Sequence, residues 1–120
     1  MKMKRKHGVK YLGRNIKFRK KYIKLILSGE KTTTIRKGII KAREREVTVC
    51  SNGKPICRAE ILNLQYKRLK DLTDEDAERD GFRDLLELLQ ELENIYGDID
   101  PFDWFTIIKF RVKNGEEESR

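Results

Sequence analysis

The stretch "SGEKTTTIR", Ser28 to Arg36, stands between an apolar run and a basic one. Upstream, Tyr22, Ile23, Ile26 and Leu27 recur at helical spacing within Arg19 to Leu27, giving one apolar stripe with lysines opposite. Ser28 and Gly29 end that helix, because glycine takes the left-handed conformation past a last turn at no steric cost. Three β-branched threonines follow, poor in helices and well suited to strands, so Thr32 to Ile35 are read as extended. The stretch therefore converts a helix into a strand at a glycine and crowds Lys31, Thr34 and Arg36 at the junction.

Working outward, a short strand is expected within Val9 to Phe18. Beyond the junction, Glu46 to Cys50 and Ile56 to Leu64 alternate as strands around Asn52-Gly53, a pair suited to a two-residue type I′ turn. Thr73 with Asp76 three residues later resembles a capping box and starts a short helix, which Gly81 interrupts. Phe82, Leu85, Leu86, Leu89, Leu92 and Tyr96 then form the stripe of a longer amphipathic helix. Asp100 and Pro101 break the chain before a closing strand on which Trp104, Thr106, Ile108, Phe110 and Val112 share one face. At 120 residues the chain is one domain, able to bury roughly two thirds of its unfolded surface. Helices interspersed among several short antiparallel strands argue for a small α+β domain, a curled sheet or barrel with helices at one mouth.

Net charge +8 understates an asymmetry along the chain. Residues 1–29 contain no acid, whereas Asp71 to Asp103 is dense in Asp and Glu with only Arg79 and Arg83 opposing. An acid-free basic region favours a polyanionic partner such as RNA, since phosphate neutralisation and counterion release supply much of nucleic-acid affinity. Arg14, Lys17, Arg19, Lys20, Lys21 and Lys24 are the candidate nucleic-acid contacts. Tyr11, Phe18 and Tyr22 lie among them and are able to stack bases, although Phe18 and Tyr22 also fit core spacing. The chain is 40% charged and rich in Lys, Glu, Arg and Ile, a balance associated with thermophilic proteins.

Neither a long apolar run nor an apolar segment after the basic N-terminus is present, so a soluble, cytoplasmic protein without a membrane partner is expected. Cys50 and Cys57 flank the Asn52-Gly53 turn. A two-residue turn sets Cys50 against Pro55 and Cys57 against Thr48, making the cysteines diagonal neighbours about 7 Å apart, too far for an unstrained disulfide. Buried free thiols are expected. Two cysteines are too few for a structural zinc site, and His7 has no visible partner, so no metal or cofactor is assigned.

The quoted stretch fits the G-x-K-x-x-x-x-R signature of the ASCH domain family, a branch of the PUA-like superfold, with Gly29, Lys31 and Arg36 at its fixed positions. The apolar helix before it, "AERDGF" at Ala77 to Phe82, the leucine helix and the terminal "FTIIKF" strand follow in the order that family shows. The resemblance spans residues 16–112, leaving 1–15 as a basic arm or first strand and 113–120 as a flexible tail. It implies a PUA-like β-barrel with flanking helices and a cleft near the signature loop that binds RNA or a nucleoside, with Gly29, Thr32 and Arg36 as ligand-binding candidates. Some small members are amidohydrolases that remove the acetyl group from acetylcytidine with a lysine, a threonine and a glutamate. Lys31 and Thr34 match the first two; the glutamate position falls on Asp80, one methylene shorter.

Overall fold

The computed structural model describes residues 8–113; the basic segment with His7 and most of the expected tail lie outside them. In chain order the elements are β1 (Lys10–Leu12), β2 (Asn15–Lys17), a 3₁₀ turn (Lys20–Tyr22), α1 (Ile23–Ser28), β3 (Thr33–Lys37), β4 (Ile40–Ala42), β5 (Glu46–Ser51) and β6 (Lys54–Arg68). A second 3₁₀ turn (Leu69–Asp71), α2 (Asp74–Arg79), α3 (Leu85–Tyr96) and β7 (Trp104–Val112) complete the chain. Five strands form one sheet in the order β2-β5-β6-β7-β3, and β1 pairs with β4 in a separate two-stranded ribbon.

The sheet curls because β6 serves two partners. Its first half pairs with β5 and its second with β7, and the register against β7 shifts between Ile61 and Asn63. An extra residue at that point bends the strand and increases its twist. The result is an α+β half-barrel of the PUA-like type with three helices. Its inner face carries one core, including Ile16, Phe18, Val47, Val49, Ala59, Ile108 and Phe110. A second core, with Ile35, Leu88, Leu92, Phe105 and Ile107, lies between the outer face and α2 and α3. β7 feeds both: Thr106, Ile108 and Phe110 point inward, while Phe105 and Ile107 meet the helices. The run "FTIIKF" is thus near-continuously apolar because it is buried on two faces.

Several expectations change here. The strands are not all antiparallel, since β2 runs parallel to β5 and β1 parallel to β4. One expected N-terminal strand is two, separated by Gly13-Arg14, and a further short strand, β4, follows β3. The helix over Arg19 to Leu27 is a 3₁₀ turn followed by six α-helical residues, and Leu27 is 54% exposed. On α3 the buried stripe is Leu88, Glu91 and Leu92, while Leu86 is 65% exposed. Leu86 sits about 100° around the helix from its neighbours and falls outside the arc that the sheet covers.

The Asn52-Gly53 turn has positive φ at both residues, 53° and 75°, as a type I′ turn requires. Cys50 opposes Pro55 as the turn dictates, but a register shift between Val49 and Cys50 sets Cys57 against Val49 rather than Thr48. Neither cysteine is in a disulfide, and both are only partly buried. Gly29 caps α1 with φ 88°, and Thr73 and Asp76 form a reciprocal capping box at the start of α2. No helix among the described residues is long and apolar enough to cross a membrane.

Candidate functional site

The segment between α1 and β3 is held from two sides: Lys31 N–H donates to Leu25 C=O at 3.0 Å and Thr32 N–H to Arg79 C=O at 2.8 Å. This brings the helix-to-strand junction against the C-terminal end of α2, where Asp80 is followed by Gly81 at φ 95°. Lys31 and Asp80 are 3% and 4% exposed, and they meet. The Lys31 ammonium pairs with Asp80 Oδ2 at 3.1 Å and donates to the Asp80 backbone carbonyl at 2.9 Å. Thr33 Oγ1 donates to Asp80 Oδ1 at 2.9 Å, so both carboxylate oxygens are engaged.

Aromatic rings surround this pair. Lys31 Nζ lies 4.9 Å from the centre of the Tyr22 ring and 5.9 Å from those of Phe18 and Phe82. The ring faces offset part of the cost of removing the ammonium from water. Burial nevertheless lowers the lysine's pKa and raises that of Asp80, each charge partly restoring the other. A lysine held in this way is closer to its neutral, proton-accepting form than an exposed one.

Thr34 and Arg36 alternate with Thr33 on β3 and share its other face. Arg36 Nε donates to Thr34 Oγ1 at 3.0 Å, and Arg36 Nη2 donates to Lys17 C=O at 2.6 Å. Its guanidinium carbon is 5.1 Å from the Phe18 ring centre. Because Thr34 Oγ1 accepts from arginine, its own hydroxyl proton is available for donation elsewhere. Together these groups line a cleft of about 190 Å³. Its walls are Phe18, Tyr22, Phe82 and Tyr96, its floor holds Lys31, Thr34, Arg36 and Asp80, and Lys17 and Arg19 reach its edge.

Of the sequence-derived candidates, Lys31, Thr34, Arg36 and Asp80 converge on this cleft with Lys17 and Arg19. Gly29 and Thr32 instead line a groove behind it, with Phe110 and Arg111. Lys21 reaches an adjoining groove, and Lys20 and Lys24 are exposed outside the cleft. Arg14 is in a separate groove with Glu44, Arg45 and Glu46. Asp80 does not cap α3, whose N-cap is Asp84.

Sequence reasoning missed Glu91. It is 8% exposed and lines the cleft from α3. The Tyr22 hydroxyl donates to it, Lys21 Nζ is 3.3 Å away and an Arg19 guanidinium nitrogen 3.6 Å. Burial alone would raise its pKa, but the Tyr22 and Lys21 donors outweigh that and hold the carboxyl below its usual value. Burial, reinforced by Glu91, pushes the Tyr22 phenol well above its normal range. The legible signal was a glutamate at helical spacing inside an apolar stripe, three residues after Leu88 and four before Ile95, where acids are rare unless paired.

A family model described as the ASCH domain matches residues 9–114. Among solved structures, the chain is similar to an ASCH domain from Lactobacillus crispatus JV V101, with 19% identity over 74% of this chain and 68% of that one and a TM-score of 0.65. Protein EF3133 from Enterococcus faecalis V583 shows 15% identity over 81% and 71% of the two chains, with a TM-score of 0.59. The hypothetical protein PH0355 shows 14% identity over 87% of this chain and 99% of that one, with a TM-score of 0.61. At these identities the structures share the fold. No curated protein is detectably similar to the chain. The matched span takes in both cores and the whole of the Lys31–Asp80 cleft, and the chain belongs to the ASCH domain family.

Proposed function

We propose that the cleft binds a single base of RNA or of a free nucleoside. The observation that carries this reading is the pairing of aromatic walls with cationic groups in a small, half-open cleft: Phe18, Tyr22 and Phe82 around Lys31, and Phe18 beside Arg36. A cleft of about 190 Å³ is below the size of most drug-like pockets and suits one heterocycle. Lys17 and Arg19 at its edge offer positive charge where a phosphate would leave the cleft. Titration calorimetry with cytidine, uridine, adenosine and guanosine tests the reading. Saturable binding that Arg36→Ala weakens at least ten-fold supports it; no heat with any nucleoside or with a short single-stranded RNA rejects it.

A second reading, amidohydrolysis of acetylcytidine, is favoured by the specific arrangement of Lys31, Thr34, Arg36 and Asp80. In it, Thr34 Oγ1 attacks the acetyl carbonyl and neutral Lys31 takes the hydroxyl proton. Asp80 assists that proton's passage to the leaving amine, and water then hydrolyses the acetyl ester on Thr34. Arg36, already bonded to Thr34 Oγ1, favours negative charge on that oxygen. Chromatographic detection of cytidine release, with Lys31→Ala beside the wild type, is the assay. Release that survives both Lys31→Ala and Thr34→Val sinks this mechanism.

A further inference from the structure

The β1–β4 ribbon carries basic groups that the cleft does not use. Residues 31–43, like 1–29, contain no acid, so both strands of the ribbon come from acid-free chain. Leu12 and Ala42 pack toward the inner core, which turns Tyr11 and its register partner Lys41 outward. Tyr11 is 52% exposed, and the Arg43 guanidinium carbon sits 4.1 Å from its ring centre. A Cβ at Gly38, between β3 and β4, would lie 3.7 Å from Lys10 Nζ.

The ribbon's cations differ from several on the main sheet in their pairing. On the β5–β6–β7 side, Arg45 and Arg111 pair with Glu60, and Arg58 and Lys113 with Glu46. Among the described residues, Lys10, Lys41 and Arg43 make no ion pair with a carboxylate. The nearest acid in sequence, Glu44, lines a different groove with Arg14 and Arg45. The ribbon is also continuous with the cleft. Arg36 leads through Gly38 to Lys41, at most about 17 Å of extended chain. Lys17 lies beyond the Gly13-Arg14 link from β1, and the Arg36–Lys17 hydrogen bond ties the two paths together.

We propose that the outer face of the β1–β4 ribbon is a second docking surface, on which single-stranded RNA stacks a base on the Tyr11–Arg43 pair and places phosphates against Lys41 and the Arg43 guanidinium. Flat aromatic and guanidinium planes stack bases without regard to sequence, and unpaired cations take the backbone. The choice of RNA rests on the function proposed above; the surface itself is independent of the cleft.

Fluorescence anisotropy with a labelled single-stranded RNA of about ten nucleotides, over a series of salt concentrations, tests it beside cytidine calorimetry. Tyr11→Ala should weaken oligonucleotide binding about ten-fold with an unchanged salt slope, and Tyr11→Phe should not. Lys41→Ala and Arg43→Ala should each flatten the slope by about 0.7. None of the four should alter binding in the cleft. Oligonucleotide affinity and slope unchanged in Tyr11→Ala, Lys41→Ala and Arg43→Ala alike overturn the docking surface, as does wild-type protein that binds anionic vesicles but no RNA. Cytidine binding without oligonucleotide binding overturns the surface alone. Oligonucleotide binding that depends on Tyr11 and Lys41, without nucleoside binding, upholds the surface and overturns the cleft reading.

Discussion

Replacing Asp80 by Asn removes one charge from the Lys31–Asp80 pair while keeping an acceptor for Thr33 Oγ1. Lys31 then retains the Asp80 backbone carbonyl at 2.9 Å and the three rings, but no counter-charge within ion-pair distance among the described residues. Breaking a buried pair by removing one partner costs about 3–5 kcal/mol, because the remaining charge stays out of water. For a chain of this length, roughly 3–5 °C of melting temperature accompany each kcal/mol, so a fall of about 10–20 °C is expected. The double variant Lys31→Met/Asp80→Asn leaves no charge at the pair and should recover much of that loss, with a coupling energy of about 2–3 kcal/mol. Burial already lowers the Lys31 pKa in the native protein, and Asp80 opposes this, so the single variant lowers it further. A lysine depressed in the folded state binds fewer protons than in the unfolded state. Stability of Asp80→Asn therefore rises with pH from the depressed folded pKa up to the unfolded value near 10.5, and its deficit shrinks over that window. Urea unfolding followed by circular dichroism and by Trp104 fluorescence, at neutral and at alkaline pH, measures both effects. A single-variant cost below about 1 kcal/mol with no coupling would show that the pair is not desolvated as its burial implies. A double variant that folds well but binds no nucleoside would show the pair to be kept for the site rather than for stability.

Acid should loosen the cleft wall through Glu91. Its folded pKa is depressed, so its contribution is present above the unfolded value and is lost as pH falls through the folded one; Glu91→Gln should flatten acid unfolding in that range, read by urea midpoints. Gly81→Ala forces a side chain onto φ 95° and sets its Cβ 3.3 Å from Leu25 Cδ1 and 3.5 Å from Lys31 Cβ. A loss of about 1–3 kcal/mol is expected, from the left-handed backbone and the shift forced on Leu25; unchanged thermal melting would count against the geometry. Thr106 Oγ1 accepts from Ile40 N–H at 2.9 Å and donates to Gly38 C=O at 2.7 Å. Thr106→Val leaves both backbone groups unsatisfied and should cost about 1–3 kcal/mol, with faster amide exchange at Ile40 than at Val49.

Local chemistry was legible wherever a few adjacent residues decide it. Gly29 ends α1 because only a left-handed residue lets the chain leave there, and Thr73 with Asp76 opens α2 by satisfying its first N–H groups. Asn52-Gly53 turns the β5–β6 hairpin for the same kind of reason. The signature stretch carries Lys31, Thr34 and Arg36 on its face, and the order of elements carries the family. What the sequence left open depends on distant surfaces. Leu86 and Leu88 are alike in composition, and only the sheet against which α3 packs leaves one exposed and buries the other. The parallel pairings of β1 and β2 have no local signal, since the partners lie thirty or more residues away. Glu91 stands out in the sequence only as an acid within an apolar stripe, and its partners Tyr22, Lys21 and Arg19 reach it from about seventy residues away. By itself the sequence determined helix ends, turns and the residue types of the site. The tertiary structure decided which of them meet, because burial, pairing and register are properties of surfaces brought together by folding.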